Sequence, residues 1–211
     1  PKVKRPVIEA ADLAAFLDSP AHTWKGNRDR FILILLYDTA IRVEELVSIR
    51  LGDIVSGSSA SSILIHGKGR KERCIVLSDK ASEHLNAYIS VYHDAIPDPN
   101  CPLIYTVIHG EIHPMSVRNV ERILHKYGQA AKATNPNIPD SVHPHMMRRT
   151  RACGLYQDGV PMEQVAALLG HSHIETTRTH YAEPSKKQMQ ESMKKGTERE
   201  PDKKEWLGNT D

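Results

Sequence analysis

The sequence predicts an α+β domain that is mainly helical and carries a small antiparallel β-hairpin or sheet at one edge. Three observations predict it. Apolar residues recur at three- and four-residue spacing over most of the chain. Two β-branched runs flank a glycine-containing basic turn. Clusters of Pro, Asn and Gly mark where the helices stop.

Taken in order, Leu13, Phe16 and Leu17 share one face of a first short helix. A second helix runs from about Arg28 to Asp38 and a third from Val43 to Arg50, after a Thr39-Ala40 break. The Ser/Gly cluster from Ser56 to Ser62 reads as a loop or a loosely formed strand edge. The runs Ser62–His66 and Arg73–Leu77, either side of Gly67-Lys68-Gly69-Arg70-Lys71, make a hairpin. Asp79 and Lys80 open an amphipathic helix reaching about Asp94, and the proline-rich stretch Ala95–Pro102 is a loop. Pro102–His113 forms a short hairpin about His109-Gly110. Met115–Ala131 is a helix with Val117, Val120, Ile123 and Leu124 facing inward, followed by a Pro- and Asn-rich loop over Thr134–Pro144. His145–Asp158 is helical and is stopped by Gly159; Pro161 starts a short helix that ends at Gly170. Thr176–Tyr181 is helical, and beyond Pro184 charges of both signs leave only Met189, Met193, Trp206 and Leu207 as apolar anchors.

A chain of 211 residues can bury one sizeable core, so one main domain is expected. No stretch approaches the roughly 18 apolar residues of a membrane span, and Phe31–Leu36 is a buried helix segment by its length. Cys74, Cys101 and Cys153 are odd in number and far apart, which fits reduced thiols in the cytoplasm better than a disulfide framework or a metal knuckle. The net charge of +2 is too small to identify a polyanionic partner, so charge placement has to carry that argument.

Four features concentrate the chemistry. Thr39-Ala40-Ile41-Arg42-Val43-Glu44-Glu45-Leu46 sets Arg42 at a helix start, either as the structural partner of Glu44 or Glu45 or as a grip for an anion favoured by free N–H groups. The turn Gly67–Lys71 gathers three cations, a pattern equally common on solvated surface. It lacks the spacing and the following helix of a phosphate-binding loop. His143-Pro144-His145-Met146-Met147-Arg148-Arg149 places His145 and Arg148 on one helix face, and its His-x-His pair lacks the Cys or carboxylate that a zinc site requires. Last, Leu168-Leu169-Gly170-His171 is followed ten residues later by Tyr181, a position that in isolation reads as packed core.

In this order, with Thr-x-x-Arg-x-x-Glu-Leu, Gly-Lys-Gly-x-Lys-x-Arg, His-x-x-Arg and Leu-Gly-His at compatible intervals, the chain resembles the tyrosine recombinases, or phage-type integrases. The resemblance spans roughly Val7 to Pro184 and looks closest to integrases of bacterial mobile elements. It implies a tyrosine recombinase catalytic-domain fold over residues 7–184, with residues 1–6 a linker from an upstream DNA-binding domain; residues 185–211 are a C-terminal tail, either a subunit-exchange arm or a frayed segment that packs on its own domain or stays disordered. It also implies a site-specific DNA recombinase that cuts and rejoins strands through a 3′-phosphotyrosyl intermediate, without metal, ATP or other cofactor.

Arg42 and Arg148 match the two phosphate-clamping arginines, Tyr181 the nucleophile and Lys68 the general acid, with Lys71 the alternative lysine. His145 assists the tyrosine proton and His171 hydrogen-bonds the scissile phosphate. Arginine suits the phosphate because its planar fork donates parallel hydrogen bonds and never loses its proton. The implied partner is double-stranded DNA, contacted by Lys4, Arg5, Arg70, Lys71 and Arg149, and the implied assembly is a homotetramer on DNA from a free monomer, in the bacterial cytoplasm at the nucleoid and away from membranes. Two departures stand out. Arg149 replaces the second His of many members, and Tyr181 lies one residue further from His171 than is common, so its hydroxyl is expected away from the arginines until DNA is bound. The competing functions are DNA relaxation of the type IB topoisomerase kind and a non-catalytic DNA-binding module, for which Tyr181→Phe would change nothing.

Overall fold

The second half of helix α2 (Trp24–Thr39) is apolar on nearly every side: Phe31, Ile32, Leu33, Leu35 and Leu36 are all buried. A helix that is apolar all round belongs in the middle of a domain, and α1 (Ala10–Leu17), α4 (Asp79–Tyr92), α5 (Val117–Thr134) and α6 (Pro144–Gln157) all pack against it in the computed structural model. The structure describes residues 6–56, 61–67, 72–95 and 98–170. Helices α3 (Val43–Ser48) and α7 (Met162–Leu169) complete the helical set among them.

Helix α2 begins a full turn earlier than the sequence reading placed it. The Thr23 hydroxyl accepts from the Gly26 N–H at 3.1 Å and satisfies one of the open donors of the first turn. Its most deeply buried carboxylate, Asp29, is met by the Arg28 guanidinium at 2.8 Å and by the Tyr127 hydroxyl at 3.0 Å, so burial does not strand its charge.

Three antiparallel strands, β1 (Ile54–Ser56), β2 (Ser61–His66) and β3 (Glu72–Val76), form a sheet in the order β1-β2-β3. The period-two alternation turns Ile63, Ile65 and Ile75 into the core, with Ile63 opposite Ile75. The strand-edge reading of the Ser/Gly cluster is realised at Ser56 and from Ser61 on; β1 itself starts at Ile54, just after a 3₁₀ turn at Leu51–Asp53. A second hairpin pairs β4 (Tyr105–Ile108) with β5 (Glu111–Pro114) about His109 and Gly110, as expected. Both turn residues have positive φ, 51° and 85°, the conformation that lets a two-residue turn follow the strand twist.

Helix α5 is capped by Ser116, whose hydroxyl accepts from the Asn119 N–H, and it turns Val120, Ile123, Leu124 and Tyr127 inward. Pro144 opens α6 from its first turn, where a missing N–H costs nothing. Among the described residues no helix is long and apolar enough to cross a membrane.

Candidate active site

Arg42 sits between α2 and α3. Helix α2 ends on Ala40, which takes the left-handed conformation at φ 49°, and Arg42 is the N-cap of α3. Glu45, three residues on, reaches back: its Oε2 accepts from the Arg42 N–H at 2.8 Å and its Oε1 from Arg42 Nη1 at 3.2 Å. The same carboxylate receives both Nη groups of Arg73, at 3.0 and 2.8 Å, in a fork-to-fork pair. Glu45 is buried. Burial opposes its ionisation, but the Arg73 hydrogen bonds, the Arg42 backbone N–H and the charges of both arginines overcome that and lower its pKa to about 2. The Arg42 side chain, with 41% of its surface exposed, keeps one edge toward solvent.

Arg148 approaches the same region from α6 and is itself buried. Its Nη1 donates to the Ala40 carbonyl at 2.6 Å and its Nη2 to the Leu169 carbonyl at 2.5 Å. Both acceptors lie at helix C-termini, where the carbonyl ends carry partial negative charge. These bonds orient the guanidinium without neutralising it. Gly170 then closes the set. Its φ is +63°, a left-handed conformation that favours glycine, and a Cβ there would stand 3.1 Å from the Arg73 Cζ, so glycine lets the end of α7 come close to that guanidinium without displacing it. Arg42, Glu45, Arg73, Arg148 and Gly170 are therefore one connected set built from the ends of α2 and α7, the start of α3, β3 and α6.

His145 stands exposed one turn before Arg148 on α6. His143, the N-cap of that helix, is held below its ordinary pKa by burial and by the nearby charges of Arg149 and His145. Arg149, which the sequence reading set beside DNA or a carboxylate, donates from Nη1 to the Pro6 carbonyl at 2.8 Å. Thr150 meanwhile accepts from the Ile8 N–H, so α6 anchors the segment from Pro6 to Ile8. Lys4, Arg5, Lys68, Arg70, Lys71, His171, Tyr181, the Thr176–Tyr181 helix and the tail from Ser185 lie outside the described residues. Among the described residues no cluster of His, Cys, Asp and Glu could hold a metal ion.

Sequence reasoning passed over one residue and undervalued another. Arg73 appeared only as the last letter of a motif, yet it sits on the same strand face as buried Ile75, and a cation on a core face needs an anion. Glu45 appeared only as a partner of Arg42, although it holds the third helical position, where a capping carboxylate belongs.

The stem of the β2–β3 hairpin carries a further ionisable group. His66 faces the Asp53 carboxylate through Nε2 and that of Glu72, its cross-strand partner, through Nδ1, each at 3.0 Å. Only an imidazolium donates from both nitrogens, and the hydrogen bond to Asp53, then that to Glu72, raises its pKa above the ordinary 6.5. A raised histidine contributes stability below its unfolded value and loses that contribution as pH rises through its folded value. Ring NMR of His66 is expected to titrate above the ordinary value, with backbone amide exchange at His66 and Glu72 quickening through the same midpoint. His66→Gln removes that step. A midpoint at or below the ordinary value would refute the double pairing.

The comparisons with known proteins bear on what these arginines serve. Residues 6–188 match the model of the phage integrase family. The chain belongs to that family. Tyrosine recombinase XerD of Staphylococcus haemolyticus is 32% identical over 187 residues, which is 87% of this chain and 60% of XerD. This member of the integrase family thus spans about three-fifths of that relative's length. Among solved structures, XerA recombinase superposes with a TM-score of 0.73 at 19% identity, covering 93% of this chain and 65% of XerA. XerH site-specific recombinase bound to its difH substrate in a pre-cleavage complex gives 0.69 at 22% identity, over 91% and 55% of the two chains. The fold of this integrase-family member is the tyrosine recombinase catalytic fold, mainly helical with small antiparallel sheets, as the sequence predicted.

Proposed function

We propose that this chain is the catalytic part of a site-specific DNA recombinase, integrating or excising a mobile element, with Arg42 and Arg148 gripping the scissile phosphate. One observation carries the reading. Two arginines reach one seam of the fold, each held by groups that fix its direction: Arg42 by Glu45, and Arg148 by the carbonyls of Ala40 and Leu169. A pre-aimed pair of guanidinium groups is what a phosphorane-like transition state requires, because donors already in place need not reorganise as charge develops.

In the proposed reaction the Tyr181 phenol oxygen attacks the phosphorus. The Tyr–O–P bond forms as the bond to the 5′-oxygen breaks, leaving a 3′-phosphotyrosyl ester. His145 helps take the phenol proton, and Lys68 gives one to the leaving 5′-oxygen. His171 donates to the phosphate beside the arginines. Attack by the 5′-hydroxyl of a second strand reverses the step, and the bond energy stored in the ester makes ATP unnecessary. Exchange between two duplexes needs paired cuts on each, so the active form is a homotetramer on DNA, with the residues after Ser185 as the exchange arm, in the bacterial cytoplasm.

The decisive experiment uses a nicked suicide duplex bearing the recombination site. The expected result is a covalent protein–DNA adduct that peptide mass mapping assigns to Tyr181, and that Tyr181→Phe abolishes. An adduct on another residue defeats the assignment. Supercoil relaxation without strand exchange between two sites would move the reading to the topoisomerase class.

A further inference from the structure

Nothing in the motif reading gives Arg73 a task, yet the structure puts it where three parts of the site meet. It lies on β3, at the far side of the basic turn from β2. Its two Nη groups hold both oxygens of Glu45, the carboxylate that also binds the Arg42 backbone N–H and side chain. Its guanidinium plane is the surface on which Gly170 rests, immediately before His171. Its side chain is only 17% exposed, too enclosed for a casual surface contact.

We infer that Arg73 is a positioning residue for DNA strand cleavage. It locks the Glu45 carboxylate in the orientation that aims Arg42, and it seats Gly170, at the end of α7, against the same assembly. The physical reason lies in the carboxylate's geometry. With Arg42 alone, Glu45 could rotate about its last bond, and Arg42, partly exposed, would follow it. A bidentate guanidinium on the opposite side removes that freedom, because both oxygens are held in the plane of the fork. Lysine, a single point charge, could neutralise Glu45 but could not fix its plane. The glycine contact adds a second constraint. A planar guanidinium can pack beneath Gly170, whereas the shorter lysine chain ends in a tetrahedral ammonium with no plane to support the α7 end.

The charged groups facing Glu45 are Arg42 at the start of α3 and Arg73 from β3, and both favour its ionised form. Removing Arg73 therefore raises the Glu45 pKa from about 2 toward the ordinary carboxylate range, and the acid limb of cleavage should move up with it.

This inference rests on the reading of Arg42 as a phosphate-binding group, and the test separates the two. Single-turnover cleavage of the suicide duplex at saturating protein is measured against pH for wild type, Arg73→Met, Arg73→Lys and Arg42→Ala. DNA affinity is measured alongside, and the Glu45 carboxyl is titrated by carbon NMR without DNA. The expected result for Arg73→Met is a fall in cleavage of about 100-fold, the scale of an ångström-level misplacement. DNA affinity changes by less than about threefold, as for the loss of one peripheral charge, while the Glu45 midpoint and the acid limb rise together. Arg73→Lys restores much of the Glu45 midpoint but leaves cleavage roughly 10-fold down. Unchanged cleavage and acid limb in Arg73→Met overturn the proposal. So does a loss confined to DNA affinity, which would make Arg73 a DNA contact. If Arg42→Ala cleaves normally, the phosphate-clamp reading falls instead, and the Glu45 titration still reports whether Arg73 holds the carboxylate.

Discussion

Arg148→Lys is expected to leave a folded chain that no longer cleaves DNA at a useful rate, a loss of about 100- to 1,000-fold, as for removal of one transition-state donor. The substitution keeps the positive charge, so the effect isolates geometry. Arg148 spans two carbonyls that end different helices, Ala40 after α2 and Leu169 in α7, with one Nη group on each. An ammonium in that space can reach one of them well and not both. The other carbonyl is left buried and short of a donor, which costs about 1–3 kcal/mol. The ends of α2 and α7 also lose their common tie, and both lead straight into the site: Ala40 to Arg42, and Leu169 to Gly170, which stands against Arg73. Urea unfolding gives the stability change and single-turnover cleavage gives the rate. A rate within a few-fold of wild type, with the stability loss present, would mean that Arg148 is only a structural clamp and that the phosphate is held elsewhere.

How far the site was legible in the sequence depends on the kind of information each residue carries. Motif spacing singles out Arg42, His145 and Arg148; the structure sets Arg42 at the start of α3, Arg148 inside α6 with its bonds on the ends of α2 and α7, and His145 on the exposed first turn of α6. The second hairpin was legible because His109-Gly110 is a turn signal with a mechanism. The start of α2 was misplaced because the apolar pattern begins late. Trp24, Lys25, Gly26 and Asn27 look unlike a helix by composition, and a single cap at Thr23 decides otherwise. Strand β1 and the role of Arg73 were not legible for a shared reason. Both depend on a partner that the local pattern does not name: Ile54 on Ile63, nine residues on, and Arg73 on a carboxylate 28 residues earlier. Local periodicity can say that Arg73 faces inward, but not what it meets there. Arg149 shows the same limit, since its partner is the Pro6 carbonyl, 143 residues away.

Glu45→Gln carries the largest expected stability effect. Glutamine is close to isosteric, but its amide presents one acceptor oxygen and one NH₂, and four donors converge where two oxygens stood: the Arg42 N–H, Arg42 Nη1 and both Nη groups of Arg73. One N–H must face another, and two neighbouring cations lose the charge between them. Breaking a buried ion pair from one side costs about 3–5 kcal/mol, and the exposed edge of Arg42 puts this case at the lower end. The pH dependence gives an independent figure. A carboxyl lowered from 4.5 to about 2 stabilises the folded chain above its unfolded value and loses that contribution as pH falls toward 2, a range worth about 3 kcal/mol. Chemical denaturation of wild type between about pH 5 and pH 2 is therefore expected to show a steeper loss of stability than Glu45→Gln, with the two curves converging at the acid end. Parallel curves would show that Glu45 titrates normally, and Arg42 would then owe its position to the helix start alone. Convergence would show that the carboxylate joining α3 to β3 also holds the site together, so that acidity weakens the fold and disarms Arg42 in one step.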